Sequence, residues 1–408
     1  MTTATAAPAT TSTSAGPSRR RRPGGGIHGQ QNRSGWTFFA PVLVILGLFL
    51  VGPILLALWV SLSDWSGQGS PLSSDVGFVG WDNYAQLFGD SGLIRRDFMT
   101  SLRNNFYYVL LVVPAQTVLA LALALILNQK LRARGFFRSA FYFPSVTSSV
   151  AISLVFIFLF TGSGAVNGVL GFFGIDGPVW FSEPRGVIHL LGGTIGIWDP
   201  AAPPAGLTGS SFLGLSWWEW LSGPSVAMMA IIALVIWTTA GTFMLMFLAA
   251  LQGVSTEVTE AAEIDGATRW QKNRYVVLPM LKPTFFLVIT LGLIGTWQVF
   301  DQIYIMSQGG PAKTTLTPAY LSYQYAFQNQ DWGIAAAMAF VLFAIILLFT
   351  GVQRFIMRDK DVIAEKRITR RTAKARADRD GDDPYVDQES IGIYQATTRS
   401  SGGTGGMT

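Results

Sequence analysis

The chain contains no cysteine. That absence excludes a disulfide, a zinc–thiolate site and a thiol nucleophile. There are two histidines, His28 in a polar tail and His189 in an apolar stretch, too few for a histidine-rich metal centre. Charge is scarce as well: 13% of the 408 residues are charged, against about 25% in a typical soluble domain. The scarcity is concentrated. Six long apolar stretches, 38–60, 106–127, 141–160, 226–251, 284–300 and 334–352, hold no Asp, Glu, Lys or Arg at all. A charge at the centre of a membrane helix costs on the order of 3 kcal/mol. Their absence from six separate stretches argues for six membrane-crossing helices. It also argues against a proton-coupled carrier, which needs intramembrane carboxylates, and against a buried catalytic centre.

Half of the chain is hydrophobic, and the mean hydropathy is +0.38 in spite of two long polar ends. The first apolar stretch starts late and is too long for a cleavable signal core, so it reads as an anchor that stays in the membrane. Residues 1–35, with the basic run at 19–22, read as a disordered N-terminal tail, and 357–408 as a basic, mostly disordered C-terminal tail. The basic cluster next to the last span could touch anionic lipid. Between the tails, 36–356 forms one transmembrane domain.

Lys and Arg assign its orientation. The N-terminal tail carries five, the 128–140 connection four, the 252–283 connection four and the C-terminal tail eleven, which places 24 of the 29 on one side. The other side has Arg95, Arg96, Arg103, Arg185 and Lys313. The positive-inside rule puts both termini and the two basic connections in the cytoplasm, and the count of six spans agrees with it. The long connection 161–225, rich in Trp, Gly and Pro, then lies outside. Its apolar piece 187–198 is too short to span and is placed at the interface or in an outer docking surface.

One inner connection is unusual. It reads Thr259-Glu260-Ala261-Ala262-Glu263-Ile264-Asp265-Gly266-Ala267-Thr268 and runs on to Val276-Val277-Leu278-Pro279. The pattern predicts a short helix with Glu260 and Glu263 near its start, a turn at Gly266, a second helix, and a stop at Pro279. Ala261 and Ala262 keep the first helix slim. Such a surface suits docking into a partner's groove.

This segment resembles the EAA loop of binding-protein-dependent ABC importer permeases. The family pattern is Glu-Ala-Ala, three residues, Gly, nine residues, Ile, one residue, Leu-Pro. Glu260, Ala261, Ala262, Gly266, Leu278 and Pro279 fall at that spacing, with Val276 in place of Ile. Asp265 and Ala267 flank the glycine. Asn273 and Arg274 depart from the family, which often has Phe at the first of them. Asn104-Asn105, Gly135-Phe136-Phe137-Arg138, Leu248-Ala249-Ala250-Leu251 and Gly309-Gly310-Pro311 are similar to the sugar-importer group that includes the maltose permeases. The last of these points to the larger permease type. The resemblance covers about 36–356, and the 161–225 connection is longer than most relatives carry.

The resemblance implies an all-α type I importer permease whose EAA loop is held in a cleft of a cytosolic ATPase. It implies a second permease, two ATPase subunits and an extracytoplasmic sugar-binding protein as partners. It also implies ATP and Mg on the ATPase, with no cofactor in this chain and no nucleic-acid partner. The nearest approach to a phosphate-binding loop, Gly309 to Thr314, has Ala312 where the glycine before Lys is required. Polar and aromatic groups in the spans flanking the EAA loop are the expected sugar path: Trp237, Thr238, Thr239 and Gly241, then Thr296, Trp297, Gln298 and Asp301. Sugars offer hydroxyls for hydrogen bonds and apolar faces for aromatic rings. A secondary carrier or a non-transport membrane scaffold is the alternative, favoured only if no ATPase or binding protein associates.

Overall fold

The structure is a computed structural model that describes residues 28–89, 92–199 and 203–357. The expected tails therefore lie outside the described residues, apart from 28–35, which open the first helix, and Met357. The described chain is mostly helical. Helix α1 (His28–Leu46), a π-turn (Gly47–Val51) and α2 (Gly52–Ser61) make the first apolar rod. The π-turn has a local cause. Pro53 has no amide hydrogen and its ring crowds the carbonyl four residues back, so the ladder slips by one residue. Gly52 N–H accordingly reaches back to the Gly47 carbonyl.

After α3 (Asp82–Phe88), α4 (Leu93–Leu127) is the longest helix. It begins well before the expected span at 106. Charges such as Arg95 and Arg103 stop hydrocarbon from covering a helix, but they do not stop its hydrogen bonds.

The third apolar stretch, expected as one rod over 141–160, is broken. Helices α5 (Arg134–Val146) and α6 (Ser149–Leu159) meet at 96°. Thr147 is extended there and Ser148 also leaves the helical conformation. Thr147 Oγ1 donates to the Phe143 carbonyl at 2.9 Å, and Pro144 supplies no amide to the ladder, so side chain and backbone compete for the last turn.

The long connection 161–225 folds into α7 (Ala165–Phe172), α8 (Val187–Ile195), α9 (Ala205–Thr208), a hairpin of β1 (Ser211–Phe212) with β2 (Leu215–Ser216), and α10 (Trp217–Leu221). Next come α11 (Val226–Gln252), α12 (Thr256–Ile264), α13 (Arg269–Lys272), a second π-turn (Asn273–Val277), α14 (Leu278–Met280) and α15 (Lys282–Trp297). Then α16 (Asp301–Met306), α17 (Pro318–Tyr323), a third π-turn (Gln324–Gln328) and α18 (Trp332–Ile356) complete the described chain. The fifth stretch, expected over 284–300 and extendable to 306, ends at Trp297. The segment 298–300 is not helical, and α16 starts afresh at Asp301.

Among the described residues, four helices are long and apolar enough to cross a membrane: Trp36–Ser61, Leu93–Leu127, Val226–Gln252 and Trp332–Ile356. Two bent pairs, Arg134–Val146 with Ser149–Leu159 and Arg269–Met280 with Lys282–Trp297, raise the number to six if each pair counts as one span.

Helices α4 and α11 pack along their length, α15 lies against both, and α18 packs on α15 and α2. Small residues bring the backbones close, which is the main way helices associate where no hydrophobic drive remains between them. Ala120, Ala124, Ala227 and Ala230 are wholly buried. A Cβ on Gly241 would lie 2.3 Å from the Phe141 carbonyl oxygen, so α11 crosses α5 at backbone contact.

Polar side chains tie the loop-rich end together. Arg103 donates to the Glu219 carbonyl at 3.0 Å and to Asn104 Oδ1 at 2.8 Å. Asn104 donates to the Lys313 and Leu316 carbonyls, Asn105 to that of Trp297, and Lys313 pairs with Asp97 at 2.7 Å. In the same region His189 stacks on Trp218 with centroids 3.8 Å apart, and burial holds its imidazole below the ordinary range. The first rod differs from the rest: none of its most apolar window is buried by the chain itself.

Candidate functional site: a bare hairpin and a buried polar cavity

The segment 256–281 forms a hairpin at the end of the molecule opposite those polar ties. Ser255 caps α12, its hydroxyl accepting from Val258 N–H. The helix thus starts earlier than the sequence suggested, and Glu263 sits in its last turn, not its first. A negative charge there opposes the helix dipole. Lys272 offsets it through an ion pair with Glu263, which holds that carboxyl below the ordinary carboxylate range.

Gly266 ends the helix at φ +78°, a conformation that disfavours every residue with a Cβ. Its N–H donates to the Glu263 carbonyl and that of Ala267 to the Ala262 carbonyl, both at 3.0 Å, the crossed pair of a Schellman cap. Nothing among the described residues comes within 4 Å of a Cβ at Gly266, so it is the backbone conformation there that calls for glycine.

Thr268 and Gln271 then cap α13 reciprocally. Pro279, expected as a stop, is carried through. The π-turn ahead of it absorbs the missing amide, as at Pro53, and the chain breaks only at Leu281.

The hairpin's base and tip differ. Val277 and Leu281 are buried in a cluster with Ala120, Ala124, Phe247 and Leu251, the ends of α4 and α11. At the tip, Ile264 is 86% exposed and Trp270 68% exposed. Glu260, Ala261, Asp265 and Pro279 are exposed, and Ala262, Ala267 and Leu278 are half-buried. Ile264 and Trp270 were not singled out by the sequence. The usable signal was two large apolar side chains flanking the Gly266 turn, in a stretch of mostly small and polar residues.

A cavity of about 280 Å³ opens between α4, α11, α15 and the break at 298–300. Four of the expected path residues line it: Thr239, Thr296, Gln298 and Asp301. The other four stand elsewhere. Trp237 packs on Phe156 at 5.6 Å, Thr238 donates to its own helix at Val235, Gly241 is the close crossing with α5, and Trp297 is buried against Phe349. Helical periodicity explains the split, because neighbours in sequence point about 100° apart around a helix.

Tyr108, Gln116 and Gln302 also line the cavity. Gln116 Oε1 accepts from Thr239 Oγ1 at 2.7 Å, while its Nε2 has no partner. The Tyr108 hydroxyl and Asn105 Oδ1 are likewise buried without partners. An unpaired buried polar group costs about 1–3 kcal/mol, and such groups facing a cavity are positioned for a hydroxyl-bearing guest. Among the described residues no cluster of His, Asp and Glu could hold a metal.

A multi-span helical domain with a capped hairpin at one end and a polar cavity inside is the form of a transport permease. The chain belongs to the family described as the binding-protein-dependent transport system inner membrane component, whose pattern matches residues 116–362. It is similar to a lactose transport system permease of Rhizobium radiobacter, 31% identical over 331 residues, 80% of this chain and 95% of that protein. It is similar also to a multiple sugar-binding transport system permease of Streptococcus mutans, 30% identical over 320 residues, 78% of this chain and 93% of that one. Its fold matches a chain of a bacterial alginate ABC transporter solved in complex with an alginate pentasaccharide-bound periplasmic protein. There the TM-score is 0.57 and the identity 20%, over 81% of this chain and 95% of that one. The chain is thus a multi-pass membrane permease component of an ABC importer, with ATP hydrolysis carried out by a separate ATPase subunit.

Proposed function

We propose that this permease carries sugars, and that the hairpin 256–281 couples their passage to ATP. The observation that carries the coupling is the contrast within the hairpin. Its base is locked into the ends of α4 and α11, and its tip presents Ile264 and Trp270 uncovered on a capped, rigid turn. A rigid element anchored at one end and bare at the other transmits a push. In this reading two cytosolic ATPase subunits, holding ATP and Mg, grip the tips of this permease and of a second one.

Both termini and the hairpin then lie in the cytoplasm, and each bent pair counts as one of six spans. Glu260, Ala261, Ala262, Asp265, Gly266, Ala267, Leu278 and Pro279 form the coupling surface. An extracytoplasmic sugar-binding protein delivers cargo at the loop-rich end, and the uncovered first rod meets lipid or the second permease. Thr239, Thr296, Gln298 and Asp301, joined by Gln116 and Tyr108, offer hydroxyl-matching groups in the cavity.

The test is uptake by liposomes carrying the whole importer with its binding protein, using labelled lactose, maltose, trehalose and alginate oligosaccharides. ATP-dependent accumulation of at least one is expected. Accumulation that ignores ATP, or none of any sugar, overturns the reading.

A further inference from the structure

Aromatic rings continue outward from the cavity. Phe300 lines it, and Tyr304 stacks on Phe300 at 5.6 Å. Tyr323 follows at 5.5 Å, Phe327 at 5.0 Å, Trp332 at 4.9 Å and Trp65 at 5.4 Å. The local chain explains the row. Phe300 caps α16, with Tyr304 N–H bonding its carbonyl at 2.9 Å one turn on, and Tyr323 and Phe327 are four residues apart from the end of α17 into the third π-turn, so each pair brings its rings together. Gly67, at φ +88°, brings its backbone against Trp332, which fixes the far end. The rings are not a sealed core: Phe327 is 61% exposed and Tyr304 42%.

The row's surroundings are polar. A cleft of about 450 Å³ beside it is lined by Gln308, Gln324, Tyr325, Gln328 and Asn329. Gln324 opens the turn that carries Phe327, so carboxamides of the cleft and a ring of the row are carried by the same turn, while none of the row's rings lines the cleft itself. Lipid-facing aromatics have no use for a bank of carboxamides, and a helix–helix contact is built from small residues. Rings spaced about 5 Å apart, with amides in the neighbouring cleft, fit a guest that is apolar on its faces and hydroxylated at its edge.

We propose that Phe300, Tyr304, Tyr323, Phe327, Trp332 and Trp65 form an aromatic lane along which a pyranose passes between the loop-rich surface and the cavity. The lane rests on the sugar reading above. It adds a defined route with several weak, equivalent stations, so that the guest is held without being trapped. The carboxamides exchange hydrogen bonds with its hydroxyls while the rings meet its C–H faces.

The test uses the complete importer in liposomes. Phe327→Leu and Tyr304→Leu keep an apolar side chain and remove the ring; Phe327→Trp keeps a ring. Assembly is checked by co-purification. With the sugar the wild type carries, each Leu variant is expected to slow uptake at limiting sugar by roughly two- to tenfold, while the Trp variant transports at near the wild-type rate. Unchanged uptake in both Leu variants of a working importer overturns the lane and leaves the sugar reading intact. A wild type that carries no sugar removes both.

Because the chain has no cysteine, Phe327→Cys gives a second readout. A water-soluble maleimide should label it, and carried sugar with its loaded binding protein should slow that labelling. Labelling only by a membrane-soluble reagent would assign the ring to lipid and reject the lane.

Discussion

At the hairpin, the apolar side chains Ile264 and Trp270 stand uncovered; at the cavity, the Gln116 amide nitrogen and the Tyr108 hydroxyl are buried without partners. Each arrangement is unfavourable for the chain alone, and each is relieved by something arriving from outside. A protein surface covers the first, and a hydroxylated guest satisfies the second. The two regions share a wall: the hairpin's base packs on the same α4 and α11 that carry Gln116 and Thr239. Movement at one end therefore has a mechanical route to the other. The difference also sets what mutation should do, since hairpin changes should break coupling and spare cargo recognition, and cavity changes should do the reverse.

The largest effect is expected at Gly266→Arg. The left-handed backbone there costs a non-glycine residue about 1 kcal/mol, and the side chain would stand in the coupling surface. Membrane insertion should be intact while ATP-driven uptake falls at least about tenfold, a factor worth roughly 1.4 kcal/mol of coupling. Normal uptake would detach the hairpin from transport.

Next is Gly241→Val, placed to test scaffold and not chemistry. Its side chain would collide with the Phe141 carbonyl and lower the stability of the detergent-purified complex by about 1–3 kcal/mol, read from thermal unfolding. Unaltered unfolding would mean that α5 gives way freely.

Smaller, but sharper for the comparison, is a pair of cavity variants. Gln298→Leu should raise the sugar concentration needed for half-maximal uptake about three- to tenfold, through lost hydrogen bonds. Thr238→Val, whose hydroxyl bonds only its own helix, should leave uptake as it is. Equal effects would erase the distinction between cavity-lining and packing residues.

The smallest effect is at Glu263→Gln. The Lys272 pair depresses the folded-state pKa of Glu263, so its contribution is present above the ordinary carboxylate range and is lost as pH falls through the depressed value. Hydrogen exchange at the Gly266 and Ala267 amides should therefore run up to about twofold faster in the variant at neutral pH, because the pair is solvent-exposed. The difference should vanish once the pH has fallen below the depressed value of Glu263. A difference that persisted in acid would assign the cap's order to something other than the pair.

Much of this molecule was legible in the sequence, for identifiable reasons. Apolar runs report the hydrocarbon directly, so three spans were located almost to both ends, and α4 was located at its C-terminal end only. The EAA-like spacing placed Gly266 at its positive φ, because a helix that must reverse needs that residue. Hydropathy, in contrast, is blind to bends. The 96° break at Thr147 lies inside an apolar run, and the break after Trp297 depends on how Gln298 and Phe300 pack around a cavity. The cavity itself was half legible. Spans four and five named Thr239, Thr296, Gln298 and Asp301, but Gln116 and Tyr108 come from α4, far away in sequence. Only the packing of α4 on α11 brings them in. Pro279 misled for a similar reason: a π-turn absorbs a proline that a strict α-helix could not.

The most direct test of the account is to tag the C-terminus, solubilise native membranes gently and identify what co-purifies by mass spectrometry. The account predicts a second multi-span permease and a P-loop ATPase, with the ATPase lost from the Gly266→Arg complex. Recovery of this chain alone, under conditions that hold a control ABC importer together, would contradict it.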